Sequence, residues 1–171
     1  ALKEDKTEVT SKHVNVLKTK LLPPPVMDDY VIRNRIINEL EENFTKPISL
    51  ISAGAGYGKS IAVSQWLDQT QRLYAWISMD KEHNDLRVFL TYLTEALDNV
   101  IHGCLEETVK VISGTQLPAF EELSYTLLNE LSEIDVDLIL VLDDFHNIHD
   151  KQILQLLAFF FARPFFNNYY Y

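Results

Sequence analysis

A glycine-rich stretch between an apolar run and a helix-forming run constrains this chain more than any other feature. Ala53-Gly54-Ala55-Gly56-Tyr57-Gly58-Lys59-Ser60 meets the pattern G-x-x-x-x-G-K-[ST] at every position but the first, where Ala53 stands for glycine. Small residues let successive backbone N–H groups converge on a phosphate. A helix opening near Gly58 adds its positive dipole end. In this pattern Lys59 reaches the β- and γ-phosphates, and the Ser60 hydroxyl binds Mg²⁺. The candidate cofactor-binding set is therefore Ala53, Gly54, Ala55, Gly56, Tyr57, Gly58, Lys59, Ser60 and Ile61. The competing reading is a glycine-rich turn with an exposed lysine. Context argues against it. Ile48 to Ser52 is a short apolar run led by Pro47 and reads as a buried strand. Ser60 to Gln69 carries Ile61, Val63, Trp66 and Leu67 at helical spacing.

A phosphate loop of this kind needs an acidic residue at the end of a neighbouring strand, to hold Mg²⁺ through its water shell. Leu138-Ile139-Leu140-Val141-Leu142-Asp143-Asp144 offers five apolar residues and then two carboxylates. Asp143 is the better metal candidate. Asp144 either orients or deprotonates an attacking water, or caps the following turn. The candidate catalytic set is Lys59, Asp143 and Asp144, and the metal set is Ser60 and Asp143. His146 and His149 have the spacing of two ligands on one helical turn. No third ligand cluster supports a metal there, so they read as polar loop residues, with His146 a weaker candidate for sensing the γ-phosphate. His13, His83 and His102 belong to no constellation and read as surface or satisfied histidines.

Elsewhere the pattern alternates. Residues 28 to 43 predict a helix capped by Asp28 or Asp29, with Ile32, Ile36, Ile37 and Leu40 on its apolar face. Leu73 to Met79 predicts a strand, and Leu86 to Ile101 an amphipathic helix. Gly103 and Gly114 bracket a further helix, Pro118 opens one that runs to Glu133, and Asp150 caps a last one through Phe161. Strands alternating with helices predict an α/β fold whose mainly parallel sheet is covered on both sides. Residues 159 to 171 hold eight of the seventeen Phe and Tyr residues. This tail has three open readings: a further buried strand, a truncation scar, or an uncertain assignment of sequence.

The net charge of −10 argues against direct binding to nucleic acid, whose phosphates attract basic patches. A phosphate loop tolerates that charge, because it needs only local N–H donors and one lysine. The single cysteine, Cys104, makes no internal disulfide and reads as a small buried hydrophobe. The first twenty residues are polar and charged, unlike a signal peptide. No apolar run approaches the ~20 residues of a membrane span. A cytoplasmic protein is the expectation.

Six segments carry a family resemblance. They are Lys18-Thr19-Lys20-Leu21 with the prolines after it; Val31-Ile32-Arg33-Asn34-Arg35-Ile36; Ala55-Gly56-Tyr57-Gly58-Lys59-Ser60; Ser64-Gln65-Trp66; Ala75-Trp76-Ile77-Ser78-Met79-Asp80; and Val141-Leu142-Asp143-Asp144-Phe145-His146. In order and spacing the chain, from about Lys18 to Leu157, resembles the N-terminal ATPase region of the large ATP-binding LuxR-type regulators. These are the maltose-regulator-like members of the STAND class. The resemblance implies a P-loop NTPase three-layer sandwich over residues 21–171, preceded by an arm over residues 1–20. It implies a cytoplasmic switch in which ADP holds a closed form, and ATP with an inducer permits self-association through the full-length protein. Slow Mg²⁺-dependent ATP hydrolysis resets it. The resemblance also adds Arg33, whose segment helps close over nucleotide in this class; a surface arginine on the first helix is the alternative. In the family a strand from later in the chain lies between the loop strand and the Asp143 strand, and only the aromatic tail is left to supply it. An arginine that follows that strand is missing, as are the winged-helix, sensor and DNA-binding regions. The expectation is a fragment with a sheet incomplete at its C-terminal end.

Three functions follow in order. The first is an ATP/ADP-binding switch domain of a bacterial signal-responsive regulator. The second is a nucleotide-gated interaction module without useful hydrolysis. The third, more distant, is a metabolic P-loop kinase, which needs a lid rich in arginine. Only Arg72, Arg87 and Arg163 lie beyond the loop.

Overall fold

The strand β3 (Leu138–Asp143) is buried at every position, and the fold is arranged around it. Its side chains point alternately to opposite faces, as strand geometry requires. Leu138, Leu140 and Leu142 enter one core, and Ile139 and Val141 a second one. Four helices cover the first core: α3 (Leu86–Asp98), α4 (Glu106–Ile112), α5 (Phe120–Ser132) and α6 (Lys151–Ala162). They contribute Phe89, Leu93, Leu127, Leu131, Leu157 and Phe160, all fully buried. The second core is built by α1 (Asn34–Glu42) and α2 (Lys59–Gln69), through Ile37, Leu40, Val63 and Trp66. Strands buried on both faces need an unbroken apolar run, and β3 has one.

The computed structural model describes residues 14–46, 48–52, 56–162 and 167–170, with positions 48, 161 and 167–170 described by backbone path alone. Beside β3 lie β1 (Ile48–Leu50), β2 (Leu73–Ser78) and β4 (Asn167–Tyr170). Their order is β1-β4-β3-β2, and every pair is parallel. Ile139 opposes Asn167, and Ile48 opposes Asn168, so the aromatic tail supplies the strand expected between the loop strand and the Asp143 strand. The α/β character and parallel sheet expected from the alternation are present.

Two expectations need correction. The strand before the glycine-rich loop is not a buried one. It is an edge strand, and Leu50 is 71% exposed. The first helix begins at Asn34 rather than near Asp28. A helix from Asp29 would have the Val31 carbonyl accept from the N–H of residue 35. That carbonyl instead accepts from the Gln65 side chain, at 3.3 Å.

Other boundaries follow their caps. The Asp85 carboxylate accepts from the Val88 N–H and opens α3; the Asp150 carboxylate does the same for Ile153 and α6. The end of the expected N-terminal arm belongs to the folded body. Lys18–Leu21 forms a 3-10 turn with Leu21 buried, Lys20 pairs with Asp80, and the Leu17 N–H donates to the Tyr92 hydroxyl. Cys104 is half-buried, and burial pushes its thiol up to about 11, which suits an inert side chain.

Candidate functional site

In a parallel sheet, loops after successive strands gather at one end, and ligands bind outside the carboxyl ends of the strands. The loop after β1 and the carboxylates after β3 share that end here. Gly56 and Gly58 have φ of 78° and 67°, the left-handed region that side chains avoid. Gly58 is the residue from which α2 starts. The glycines are thus required by backbone direction, and Tyr57 between them is 63% exposed. Ala53, Gly54 and Ala55 fall outside the described residues. Lys59, Ser60 and Ile61 form the first turn of α2 and are each half-buried.

The Ser60 hydroxyl donates to Asp143 Oδ1 at 3.0 Å, joining residues 83 positions apart. Asp143 is buried, at 7% exposure. Burial, and then the neighbouring Asp144, raises its carboxyl above the ordinary value; the Ser60 hydrogen bond and Lys59 pull the other way. A hydroxyl and a carboxylate in contact form a hard-oxygen pair, the donor type Mg²⁺ takes alongside water and phosphate oxygens. The residues present therefore fit that ion.

Asp144 has φ of 56°, in the left-handed region, where Asp is among the more tolerant residue types. Its side chain is 58% exposed, and His146 Nδ1 lies 3.8 Å from it. The bend after β3 is fixed by two asparagines. Asn147 donates to the carbonyls of Met79 and Asp144, and Asn84 donates to the Asn147 carbonyl while accepting from the N–H groups of His149 and Asp150. The loops after β2 and β3 are thereby tied together.

Arg33 is placed at the start of α1, where its carbonyl accepts from the N–H groups of Ile36 and Ile37. Its guanidinium lies 3.5 Å from the point where a Cβ on Gly58 would stand. A cavity of about 590 Å³ opens beside the loop. Arg33, Arg35, Lys46 and Lys59 line it with Tyr57, against the single carboxylate of Glu39. On a chain of net charge −10, that concentration of cations stands out. A second cavity of about 450 Å³ lies between α3 and α4; Glu95, Asp98 and Glu106 line it, and it holds none of the loop residues.

The two described arginines beyond the loop have other partners. Arg72 makes two hydrogen bonds to Glu41, at 2.7 and 2.8 Å, and stacks over Phe44. It precedes β2 and so lies at the opposite end of the sheet from the loop after β1. Arg87 donates to the carbonyls of Ile112 and Gly114. Arg163 falls outside the described residues.

Sequence reasoning assigned no role to Gln65, Asn84 and Asn147, whose bonds to Val31, to Asn147 with His149 and Asp150, and to Met79 span 34 to 68 positions and leave no local signal. Of the two readings of His83, surface or satisfied, the structure takes the second. That side chain is fully buried, with Nδ1 2.9 Å from Asp80 and its ring against Tyr92.

In this parallel α/β sheet the glycine-turned lysine loop lies beside the half-buried Ser60 and the buried Asp143, the arrangement that the glycine-rich pattern predicts. Comparison with known proteins gives the relationship. The chain is 32% identical over 145 residues to the HTH-type transcriptional regulator MalT of Yersinia enterocolitica, and 28% identical over 144 residues to that of Vibrio cholerae. The MalT of Yersinia pestis is 30% identical over 145 residues. These alignments cover 84–85% of this chain and 16% of each relative. The resemblance carried by the six segments is therefore a relationship along most of the chain, and the chain spans a minor part of the relatives' length. No family model matches.

Proposed function

We propose that this chain is an ATP/ADP-binding switch domain with the P-loop NTPase sandwich fold, within a bacterial signal-responsive transcriptional regulator. The contact between Ser60 and Asp143 carries the reading. It joins the end of the glycine-rich loop to the end of a central parallel strand, as an Mg²⁺-nucleotide site requires. Residues Ala53 to Ile61 hold the phosphates, Lys59 neutralises the β- and γ-oxygens, and Arg33 closes from the α1 side. Ser60 and Asp143 hold Mg²⁺, which supplies charge neutralisation across the phosphates when bound. Asp144 stands beyond Asp143 on the exposed bend, placed to orient a water for slow hydrolysis. The named function of the relatives, transcriptional regulation, supports the regulatory role, with self-association through the longer protein and residues 1–20 as an arm whose end, from Leu17 to Lys20, packs on the 21–171 body. A cytoplasmic place fits that role, and among the described residues no helix is long and apolar enough to cross a membrane. Direct contact with nucleic acid is left to other parts of such a regulator.

Calorimetry with Mg²⁺-ADP and Mg²⁺-ATP tests this. The unmodified chain binds both, and Lys59→Ala binds neither measurably. A silent titration of the folded, unmodified chain would overturn the reading. The engaged partners of Arg72 and Arg87 favour a second reading, a nucleotide-gated module without useful hydrolysis, since neither arginine is presented to a transferred phosphoryl group. They weigh equally against a kinase. Phosphate release measured beside binding separates the two, because the module binds without turnover.

A further inference from the structure

The segment that carries Arg33 over the phosphate loop has little of its own to hold it there. Val31 is 81% exposed and Ile32 is 59% exposed, so their side chains bury little against the body. Arg33 itself has no side-chain cap on α1. The guanidinium nevertheless sits against Gly58, the left-handed residue from which the loop passes into α2.

What reaches the segment is Gln65. This side chain belongs to α2, the helix that begins with Lys59, and only 4% of the residue is exposed. Its amide nitrogen donates to the Val31 carbonyl at 3.3 Å. Its Oε1 is buried with no hydrogen-bond partner among the described residues. An apolar side chain of the same length would fill the space without an orphaned acceptor, so packing alone gives no reason for an amide here. The tether does. It connects the helix at the phosphate loop to the backbone two residues before Arg33, at a carbonyl that a longer α1 would use within the helix.

We infer that Gln65 is a positioning residue: by holding the Val31 carbonyl it sets the place of Arg33 over the phosphate loop, and so tunes nucleotide affinity through Arg33 alone. The inference rests on the nucleotide reading above. The amide touches no phosphate; it limits how far the Arg33 segment swings from α2.

The test is a double-mutant cycle on the full chain. Mg²⁺-ADP is titrated into the unmodified protein, Gln65→Met, Arg33→Ala and the double variant, and urea unfolding of each is followed without nucleotide. Loss of one positioning hydrogen bond is expected to weaken ADP binding by about three- to tenfold in Gln65→Met. In the Arg33→Ala background the same change adds no further loss. Unchanged affinity in Gln65→Met overturns the inference, and so does a double variant whose loss is the product of the two single losses. Should the unmodified chain bind no ADP, the nucleotide reading itself fails. Gln65→Asn provides a second variant: it keeps a buried amide but is one methylene too short to reach Val31, and it is expected to match Gln65→Met. Hydrogen exchange reads the tether directly. Amides of residues 32–36 exchange faster in either Gln65 variant while β3 is unchanged; equal exchange at 32–36 overturns the proposal.

Discussion

At the scale of single residues, the buried His83 is the side chain whose chemistry departs most from its sequence context. Burial lowers its pKa, with Lys20 adding in the same direction and Asp80 opposing. Lys20, Asp80, Glu82 and Tyr92 are the ionisable groups around it. Asp80, held by Lys20 and His83, stays ionised down to about 2. As pH falls below about 6.5, the unfolded chain takes up a proton at this histidine that the folded chain resists, so stability falls with it. Asp143 acts in the opposite sense: its raised pKa means that stability falls as pH rises from the ordinary carboxylate value. Urea midpoints at pH 7.5 and 5.5, compared between the unmodified chain and His83→Gln, report the histidine. The unmodified chain loses stability between them, and His83→Gln loses measurably less; equal losses contradict the assignment. Much of the candidate site was legible at this scale. Gly56, Gly58, Lys59 and Ser60 are adjacent in the chain, and their spacing encodes the backbone path. Asp143 announced itself by ending an apolar run. His83 and Gln65 did not, because each is defined by a partner on another element.

Among the elements, α4 shows how a short helix is kept. It has seven residues, and Leu105, before its first turn, offers no side-chain cap. Isolated helices of that length are unstable in water. The Glu130 carboxylate of α5 stands in as the cap, accepting from the N–H groups of Glu107 and Thr108 and from the Thr108 hydroxyl at 2.6 Å. Glu130→Ala is expected to cost about 1–2 kcal/mol, a cap's worth of stability with one buried hydroxyl left unpaired. Hydrogen exchange checks where the loss falls: α4 amides should speed up well before those of α3. The helix between Gly103 and Gly114 was visible from its flanking glycines, and so was α6 from Asp150. The sequence predicts a longer α1, since Asp28 and Asp29 look like caps, whereas the Val31 carbonyl accepts from Gln65, on α2, and the helix starts at Asn34.

For the whole molecule, the strand order decides what the tail is worth. Among the described residues, the glycine-loop strand β1 touches the sheet through β4 alone. Removing residues 163–171 takes away β4 and leaves β1 without its neighbour, while β2 and β3 keep their full register. A chain ending at Ala162 is expected to retain helical content but to lose Mg²⁺-ADP binding, with a lowered urea midpoint. Binding as tight as that of the full chain would show that β1 is held some other way. Sequence alone revealed the parallel sheet, because strands alternate with helices and Leu138 to Leu142 is an unbroken apolar run. It did not reveal that β1 is an edge strand, since edge position depends on which strand comes to lie beside it.

The place of β4 also sets an order of events during synthesis. Ile48 can take its station only after Asn168 has been made, whereas Leu73 meets Leu138 earlier. Pairings between segments far apart in sequence come late, because closing the long loop precedes any reward. A nascent chain thus builds its carboxylate strand before its loop strand is anchored, and the glycine-rich loop is fixed in place later than the strand that faces it.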